Sequence, residues 1–137
     1  MTNEKLSYIL RGIDLKKCKP IVENHIYYIS KLIKQKISNG YGEERICKDL
    51  YEFLVIAPDG IKKGIILRCD NIDLHWYVYK KHRGEKVLSN ALRTGVLRKV
   101  WPKNKTITCC YEWKDNKKDK YEMTKHLAEI AGLKIKE

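Results

Sequence analysis

The fold is decided by one short stretch, VYKKHRGEKVL at residues 78–88. A segment rich in β-branched and aromatic residues ends here in a basic turn, and apolar residues then recur at helical spacing from Glu85 to Trp101. A strand followed by a turn and a helix N-terminus presents backbone N–H groups that suit a phosphate. The stretch therefore predicts a phosphate-binding loop between a strand and a helix.

The composition indicates one soluble globular domain. The chain has 137 residues, of which 43% are apolar and 34% are charged. No apolar run approaches the roughly 20 residues that span a bilayer, and the N-terminus lacks a secretory signal, which favours the cytoplasm. The five cysteines form no Cys-x-x-Cys pair and have no His-rich neighbourhood, so we expect reduced thiols and no metal site.

The charge balance is strongly basic, with a formal net charge of +12. Such a surface attracts polyanions, and the candidates are nucleic acid, an acidic protein or a phosphorylated cofactor. Lysines are spread along the whole chain, so a lysine-rich, solubility-driven composition is an equally good interpretation. The charge predicts a class of partner without identifying one.

The first 49 residues are predicted to be a helical region. Pro20 suits a first helical turn, and the apolar residues from Ile21 to Ile37 recur at helical spacing. Asn39 and Gly40 tolerate a left-handed C-cap. The following residues, 40–48, are predicted to form a loop or a short helix.

Residues 50–80 are predicted to form an antiparallel meander. Strands are expected at 50–57, 63–69 and 72–80, because these segments are rich in β-branched and aromatic residues. Turns are expected at Pro58–Gly60 and at residues 70–71. Sequential strands joined by such tight turns pair antiparallel.

The last part of the chain alternates between helical and strand patterns. The helix that starts at Glu85 is closed by Pro102, and a strand is expected at 106–113. A last helix is expected with Asp119 as N-cap, with Met123, Leu127 and Ile130 facing inward, with Gly132 as its stop and with a short strand at 133–136. Because a helical crossover returns the chain in the same direction, the sheet should become part-parallel. The order α-β-β-β-α-β-α-β predicts an α/β or α+β fold.

The stretch from Tyr77 to Gly84 resembles the first half of the coenzyme-A loop of GNAT-type N-acetyltransferases, in which a strand with Val leads to Arg-Gly-x-Gly-x-Gly/Ala. The ending HLAEIAGL at 126–133 is similar to the family's helix, Leu-Gly-Phe and last strand. The resemblance covers about Leu50 to the C-terminus. It implies a single GNAT-like domain over 1–137, with a mixed central sheet and helices on both faces. Its parts are the helical region 1–49, the meander 50–80 and the coenzyme-A-loop helix, strand, helix and last strand of 81–137. The size and lysine bias also suit a member from a phage or mobile element.

The resemblance implies acetyl-CoA as the cofactor and no metal. The residues it assigns to cofactor binding are Val78, Tyr79, Arg83, Gly84, Glu85, Lys86, Val87 and Leu88. Two of them depart from the family pattern, because Lys86 and Leu88 stand where the family has Gly and Gly or Ala. A Lys at the loop can still neutralise phosphate as a point charge.

The resemblance also implies direct acyl transfer to an amine. A backbone N–H near Val78 would polarise the acyl carbonyl, and Asp73 or His75 on the same strand would remove the proton. Exposed-turn and structural roles are the simpler interpretations of these two residues. The family's usual Tyr acid is replaced by Ala128, and Tyr121, about two turns earlier, is the nearest substitute.

Two functions therefore stay open, and with them whether the chain is an enzyme. The first is an acetyl-CoA-dependent N-acetyltransferase with an unknown amine acceptor. The alternative is a catalytically inactive GNAT-like basic module that binds nucleic acid or a protein partner. The alternative is favoured by the departures at Lys86, Leu88 and Ala128, by the net charge, and by aromatic residues on neighbouring strands that suit base stacking. Neither function involves a membrane.

Overall fold

A computed structural model of the chain describes residues 3–38, 40–68, 74–104, 106–108 and 118–136. These residues form an α+β fold in which a five-stranded antiparallel sheet carries helices on both faces. In chain order the elements are α1 (Asn3–Gly12), β1 (Lys19–Val22), β2 (Ile26–Ser38), β3 (Glu44–Ile56), β4 (Gly64–Arg68), β5 (Leu74–Val78), α2 (Val87–Arg93), α3 (Val96–Val100), β6 (Thr106–Thr108), α4 (Lys118–Ala131) and β7 (Lys134–Lys136). No helix among the described residues has both the length and the apolar character needed to cross a bilayer.

The strands of the main sheet follow one another in chain order, β1-β2-β3-β4-β5, and each neighbouring pair is antiparallel. This arrangement confirms the predicted meander. The expected part-parallel extension beside β5 is not what the described residues form, because β6 pairs in parallel with β7 in a separate two-stranded sheet. Residues 109–113 of the predicted strand and the predicted turn at 70–71 lie outside the described residues.

The prediction of a helix from Pro20 to Ile37, within the helical region 1–49, is wrong. Residues 20–37 belong to β1 and β2, which are joined by a turn in which Asn24 has a φ of 56°, and β3 begins at Glu44. Ile29, Ile33 and Ile37 are spaced by four, and that spacing fits one face of a strand as well as one face of a helix. Pairing with β3 along all of β2 decides between the two. Pro20 lies on the edge strand β1, where a missing N–H is tolerated.

The predicted helix from Glu85 to Trp101 is two helices. Helix α2 begins at Val87, and Gly95, with a φ of 76°, separates it from α3. The last helix begins at Lys118, so Asp119 lies in its first turn and is not the N-cap. Met123 does not face inward as expected, because 65% of its side chain is exposed.

The core lies on both faces of β3 because successive strand residues point to opposite sides. Leu54 and Ile56 pack with α2, α3 and α4 on one face. Phe53 and Val55 pack with α1 on the other. The C-terminal end of α1 is held by Lys62, whose Nζ donates to the carbonyl oxygens of Leu10 at 2.7 Å, of Arg11 at 2.9 Å and of Ile13 at 2.8 Å.

Among the described residues, β2 and β3 continue beyond the main sheet as a two-stranded ribbon formed by residues 32–38 and 44–50. Its register runs from Leu32 opposite Leu50 to Ser38 opposite Glu44. Among the described residues, pairing of β3 with β4 begins at Glu52, opposite Arg68. At this boundary the Glu52 carboxylate accepts hydrogen bonds from the Tyr28 hydroxyl at 2.7 Å and from Arg68 at 2.7 Å.

Candidate functional site

A cleft of about 590 Å³ lies beside β5, the last strand of the main sheet. One wall is formed by Trp76, Tyr77 and Val78 of β5. The loop from His82 to Lys86 and the start of α2 form a second wall, and residues of α4 between Met123 and Leu127 form a third. The cleft therefore sits where the sheet edge, the predicted phosphate loop and α4 meet.

The backbone of β5 presents hydrogen-bonding groups to this cleft. The Tyr79 N–H donates to the Lys63 carbonyl at 2.9 Å, so at Tyr79 the backbone points toward β4. Because N–H groups alternate along an antiparallel strand, those of Trp76 and Val78 point away from β4. The outward carbonyl of Val78 accepts from Arg83 Nε at 3.2 Å. The outward N–H of Val78 is thus a donor on the cleft wall.

Arg83 fixes the loop to the edge of β5. Besides its bond to the Val78 carbonyl, its guanidinium carbon lies 5.7 Å from the ring centroid of Tyr77, a cation–π distance. A guanidinium has five N–H donors and only one is used by Val78, so others remain for an anion in the cleft.

The loop uses two of its own amides internally. The N–H of Arg83 donates to the Lys80 carbonyl and the N–H of Glu85 to the His82 carbonyl, each at 3.3 Å. Within the part of the chain that the structure describes, no backbone acceptor takes the amide of Gly84 or Lys86. The first N–H groups of a helix also lack an intrahelical acceptor, which adds those of Val87 and Leu88.

Lys86 adopts the backbone conformation that glycine favours. Its φ of 59° and ψ of 34° are left-handed, and this is the position at which the resemblance expects Gly. A non-glycine residue in this region costs roughly 1–2 kcal/mol. The turn geometry is therefore present although the residue differs, and the side chain adds a positive charge to the cleft wall.

The Leu88 side chain contacts both the apolar core and the cleft. It is half-buried against the apolar core between the sheet and α2, and it also lines the cleft. Its side chain therefore occupies part of the volume that Gly or Ala would leave open.

Two of the eight residues assigned to cofactor binding do not line the cleft. The Tyr79 side chain packs with the α1 face of the sheet, and burial raises the pKa of its hydroxyl. The Glu85 carboxylate accepts from Lys63 Nζ at 2.7 Å and contacts His82 Nδ1 at 3.0 Å. Hydrogen bonds from Lys63 and then His82 lower the pKa of Glu85. The remaining six, Val78, Arg83, Gly84, Lys86, Val87 and Leu88, line the cleft together.

Of the residues considered for catalysis, the two that the structure describes, His75 and Tyr121, do not line the cleft. His75 lies on the α1 face of β5, where its Nε2 is 3.1 Å from Asn3 Oδ1 and burial lowers the pKa of its imidazole. Tyr121 lies on α4 but is not among the residues that line the cleft. Asp73 lies outside the described residues.

Several cleft residues were missed by the sequence reasoning. Met123, Thr124 and His126 of α4 line the cleft, as does Arg93 of α2. Met123, His126 and Leu127 follow the i, i+3, i+4 spacing of one helix face, so placing Met123 on the cleft instead of in the core would have identified His126. Ala128, at the position of the expected Tyr acid, is buried with 1% of its surface exposed.

Comparison of the chain with protein-family models, with curated proteins and with solved structures gave no match. Among the described side chains, no group of three or more His, Cys, Asp or Glu is arranged to hold a metal ion. The chemistry of the site is therefore derived from the cleft, its backbone donors and its cationic side chains.

Proposed function

We propose that this chain is a GNAT-like N-acetyltransferase that binds acetyl-CoA in the cleft beside β5 and acetylates an amine. The observation that carries the proposal is that one cleft is bounded both by the outward N–H of Val78 and by the loop from Arg83 to Lys86. The first group suits an acyl carbonyl and the second suits a pyrophosphate.

The cleft fits a cofactor of this chemistry. Its volume lies within the roughly 300–1,000 Å³ of small-molecule sites. Arg83 and Lys86 supply positive charge, and the amides of Gly84 and Lys86 supply donors for phosphate oxygens. The outward N–H groups of Trp76 and Val78 suit an extended, amide-bearing chain in the manner of an added strand. Helix α2 has only seven residues, so the loop amides and the cations carry the anion binding.

The catalytic roles follow from where the side chains lie. Acetyl-CoA, when bound, supplies an activated thioester acyl group. The Val78 N–H donates to the acyl oxygen as negative charge develops on it. His126, an exposed imidazole on the α4 wall, is the side chain we assign as proton acceptor, because His75 faces α1 and contacts Asn3.

Isothermal titration of acetyl-CoA tests cofactor binding. The wild-type chain is expected to bind with a micromolar Kd. The variant Leu88→Trp enlarges a side chain on the cleft wall and should weaken binding by about tenfold or more, the loss expected when a ligand group is displaced from a filled pocket. Leu32→Trp makes the same change on the exposed ribbon and should leave the Kd unchanged. No heat with millimolar acetyl-CoA would refute the proposal.

A second candidate is the same cleft without catalysis. It is supported by the burial of Ala128 at the position where the resemblance expects a Tyr acid. Incubation with acetyl-CoA and a panel of primary amines, followed by chromatography of released CoA, separates the two. Micromolar binding without CoA release would favour the inactive module, whereas release that is lost in His126→Gln would favour the enzyme.

A further inference from the structure

We propose that the ribbon formed by residues 32–38 and 44–50 is a docking surface for duplex DNA. This inference is independent of the proposed acetyl transfer, because the ribbon lies outside the residues that line the cleft. It rests on the shape of the ribbon, on two paired lysines and on the exposed apolar residues beside them.

The ribbon has a shape that fits a DNA groove. From Leu32 to Ser38 it contains seven cross-strand pairs, so at about 3.4 Å per residue it extends roughly 20 Å from the main sheet. The major groove of B-form DNA, about 12 Å wide, admits a two-stranded ribbon. The major groove of duplex RNA is too deep and narrow for side-chain contact.

The ribbon carries an arrangement of charges that is unfavourable in the isolated chain. Lys34 lies directly opposite Lys48, and both side chains are exposed. Like charges directly opposite each other destabilise a strand pair. An anion between them removes this repulsion, and two adjacent phosphates supply such charge.

Apolar side chains flank the two lysines on the same face. Leu32 and Leu50 form the cross-strand pair two positions from the Lys34–Lys48 pair. Ile46 lies two residues from Lys48 along β3. All three are exposed, Leu32 by 68%. Apolar side chains contact thymine methyl groups in the major groove. Glu43 and Glu44, both exposed, lie at the far end of the ribbon, and Asp49, next to Lys48, lies on the opposite face.

The charge of the whole chain favours DNA over a second copy of the same protein. A twofold-symmetric contact through this face would bring the lysine pairs of two copies together, and each copy has a net charge of +12. A polyanion complements both the local pair and the overall charge.

Fluorescence anisotropy of a labelled 24-base-pair DNA duplex tests the proposal, measured between 50 and 200 mM salt on the full chain. The variant K34T/K48T removes both lysines and keeps a residue that favours strands. It should weaken binding by about tenfold and reduce the slope of log K against log salt by about 1.8, the value for two phosphate contacts. The matched control K19T/K134T removes two exposed strand lysines elsewhere and should change the affinity less than twofold.

Several results would overturn the proposal. The proposal would be wrong if the wild-type protein did not bind the duplex at 50 mM salt. It would also be wrong if the two double variants lost the same affinity, because that result would indicate binding through net charge alone. Equal affinity for a duplex RNA of the same length would contradict insertion into a B-form groove. If K34T/K48T forms oligomers and keeps its DNA affinity, the lysines protect the strand edges from pairing instead. Thermal melting of both variants checks that the fold is retained.

Discussion

The two halves of β3 differ both in sequence and in surroundings: residues 44–50 are mostly charged, whereas residues 51–56 are almost all apolar. In the inner half, Phe53 and Leu54 are fully buried between α1 on one face and the other helices on the other. In the outer half, Ile46 and Leu50 are exposed on the ribbon. The apolar, β-branched pattern predicted a strand only for residues 50–57. The outer half, predicted as a loop or a short helix up to residue 48, is a strand because it pairs with β2. The inner half builds the core on both faces of the sheet, and the outer half leaves apolar side chains exposed.

A polar cluster marks the boundary between the halves. Burial alone would raise the pKa of Glu52, but hydrogen bonds from Tyr28 and Arg68 outweigh it and lower that pKa. Arg68 also donates from Nε to Asn104 Oδ1 at 3.0 Å. The cluster ties β2, β3 and β4 to the segment after α3 at the point where the sheet narrows to two strands.

The largest expected effect is the difference in stability between two Leu-to-Ala substitutions in the β2–β3 hairpin, one at a buried position and one on the exposed ribbon. Leu54→Ala removes a side chain with no exposed surface and should lower the free energy of unfolding by about 2–5 kcal/mol. Leu32→Ala, on the exposed ribbon, should change it by less than about 0.5 kcal/mol. Urea unfolding followed by circular dichroism measures both. A large loss of stability in Leu32→Ala would mean that another part of the chain covers the ribbon, which would contradict the contrast between a buried and an exposed half.

The next effect tests how tightly β4 and β5 pack beside the cleft. A Cβ at Gly64 would lie 3.1 Å from the Tyr77 carbonyl oxygen and 3.4 Å from Val87 Cγ1. Gly64→Ala should therefore destabilise the fold by about 1–3 kcal/mol through overpacking. Gly12→Ala is the control, because a Cβ there meets nothing within 4 Å. A melting temperature for Gly64→Ala equal to that of the control would show that β5 shifts to accommodate the added Cβ at little cost in stability.

The third effect is a pH dependence of the stability, and it arises from two histidines, one in the turn before β2 and one on β5. Burial lowers the pKa of His25 and of His75 in the folded chain. The unfolded chain takes up protons at these residues near pH 6.5, its ordinary value. Below that pH the unfolded state binds more protons, so stability is lost as the pH falls. The free energy of unfolding should be lower at pH 5 than at pH 7.5.

The variant His75→Gln should reduce this difference, whereas His126→Gln, at an exposed position on α4, should retain it. Denaturant titrations at the two pH values make the measurement. An unchanged pH dependence in His75→Gln would show that its burial beside α1 does not contribute.

The smallest expected effect lies on the ribbon. Lys34→Glu converts a like-charge pair with Lys48 into an opposite-charge pair and should stabilise the chain by about 0.2–1 kcal/mol. The gain should shrink at high salt because exposed charges are screened. Differential scanning calorimetry at 20 and 500 mM salt would detect it. A stability that falls instead would indicate that Lys34 has a favourable partner in the folded chain.

The sequence predicted the part of the fold in which local signals and burial agree. The strand over 50–57 is apolar on both faces, and Pro58-Asp59-Gly60 forms the expected turn, with left-handed Asp59 and Gly60. The region 20–37 was mispredicted because isoleucines spaced by four satisfy both periods. Only the long-range pairing with β3 excludes the helix, and no local pattern encodes that pairing.

The residues that line the cleft could be predicted from the sequence to a similar extent. The loop from Arg83 to Leu88 was located because its turn chemistry is local. The contacts of Arg83 with the Val78 carbonyl and of His75 with Asn3 depend on the positions of β5 and α1 in the folded chain, and no local sequence pattern gives those positions. His126 was missed because the side of α4 that faces the cleft is fixed only when α4 packs on α2.

The triple hydrogen bond of Lys62 makes this residue a reporter of how often α1 detaches. Although burial lowers its pKa, all three N–H groups of its ammonium are engaged by carbonyls at the end of α1. An acylating reagent needs a free amine lone pair, so it reacts at Lys62 only in molecules in which α1 has released the side chain. The labelling rate of Lys62, compared by mass spectrometry with that of exposed lysines, therefore gives the population of the open form.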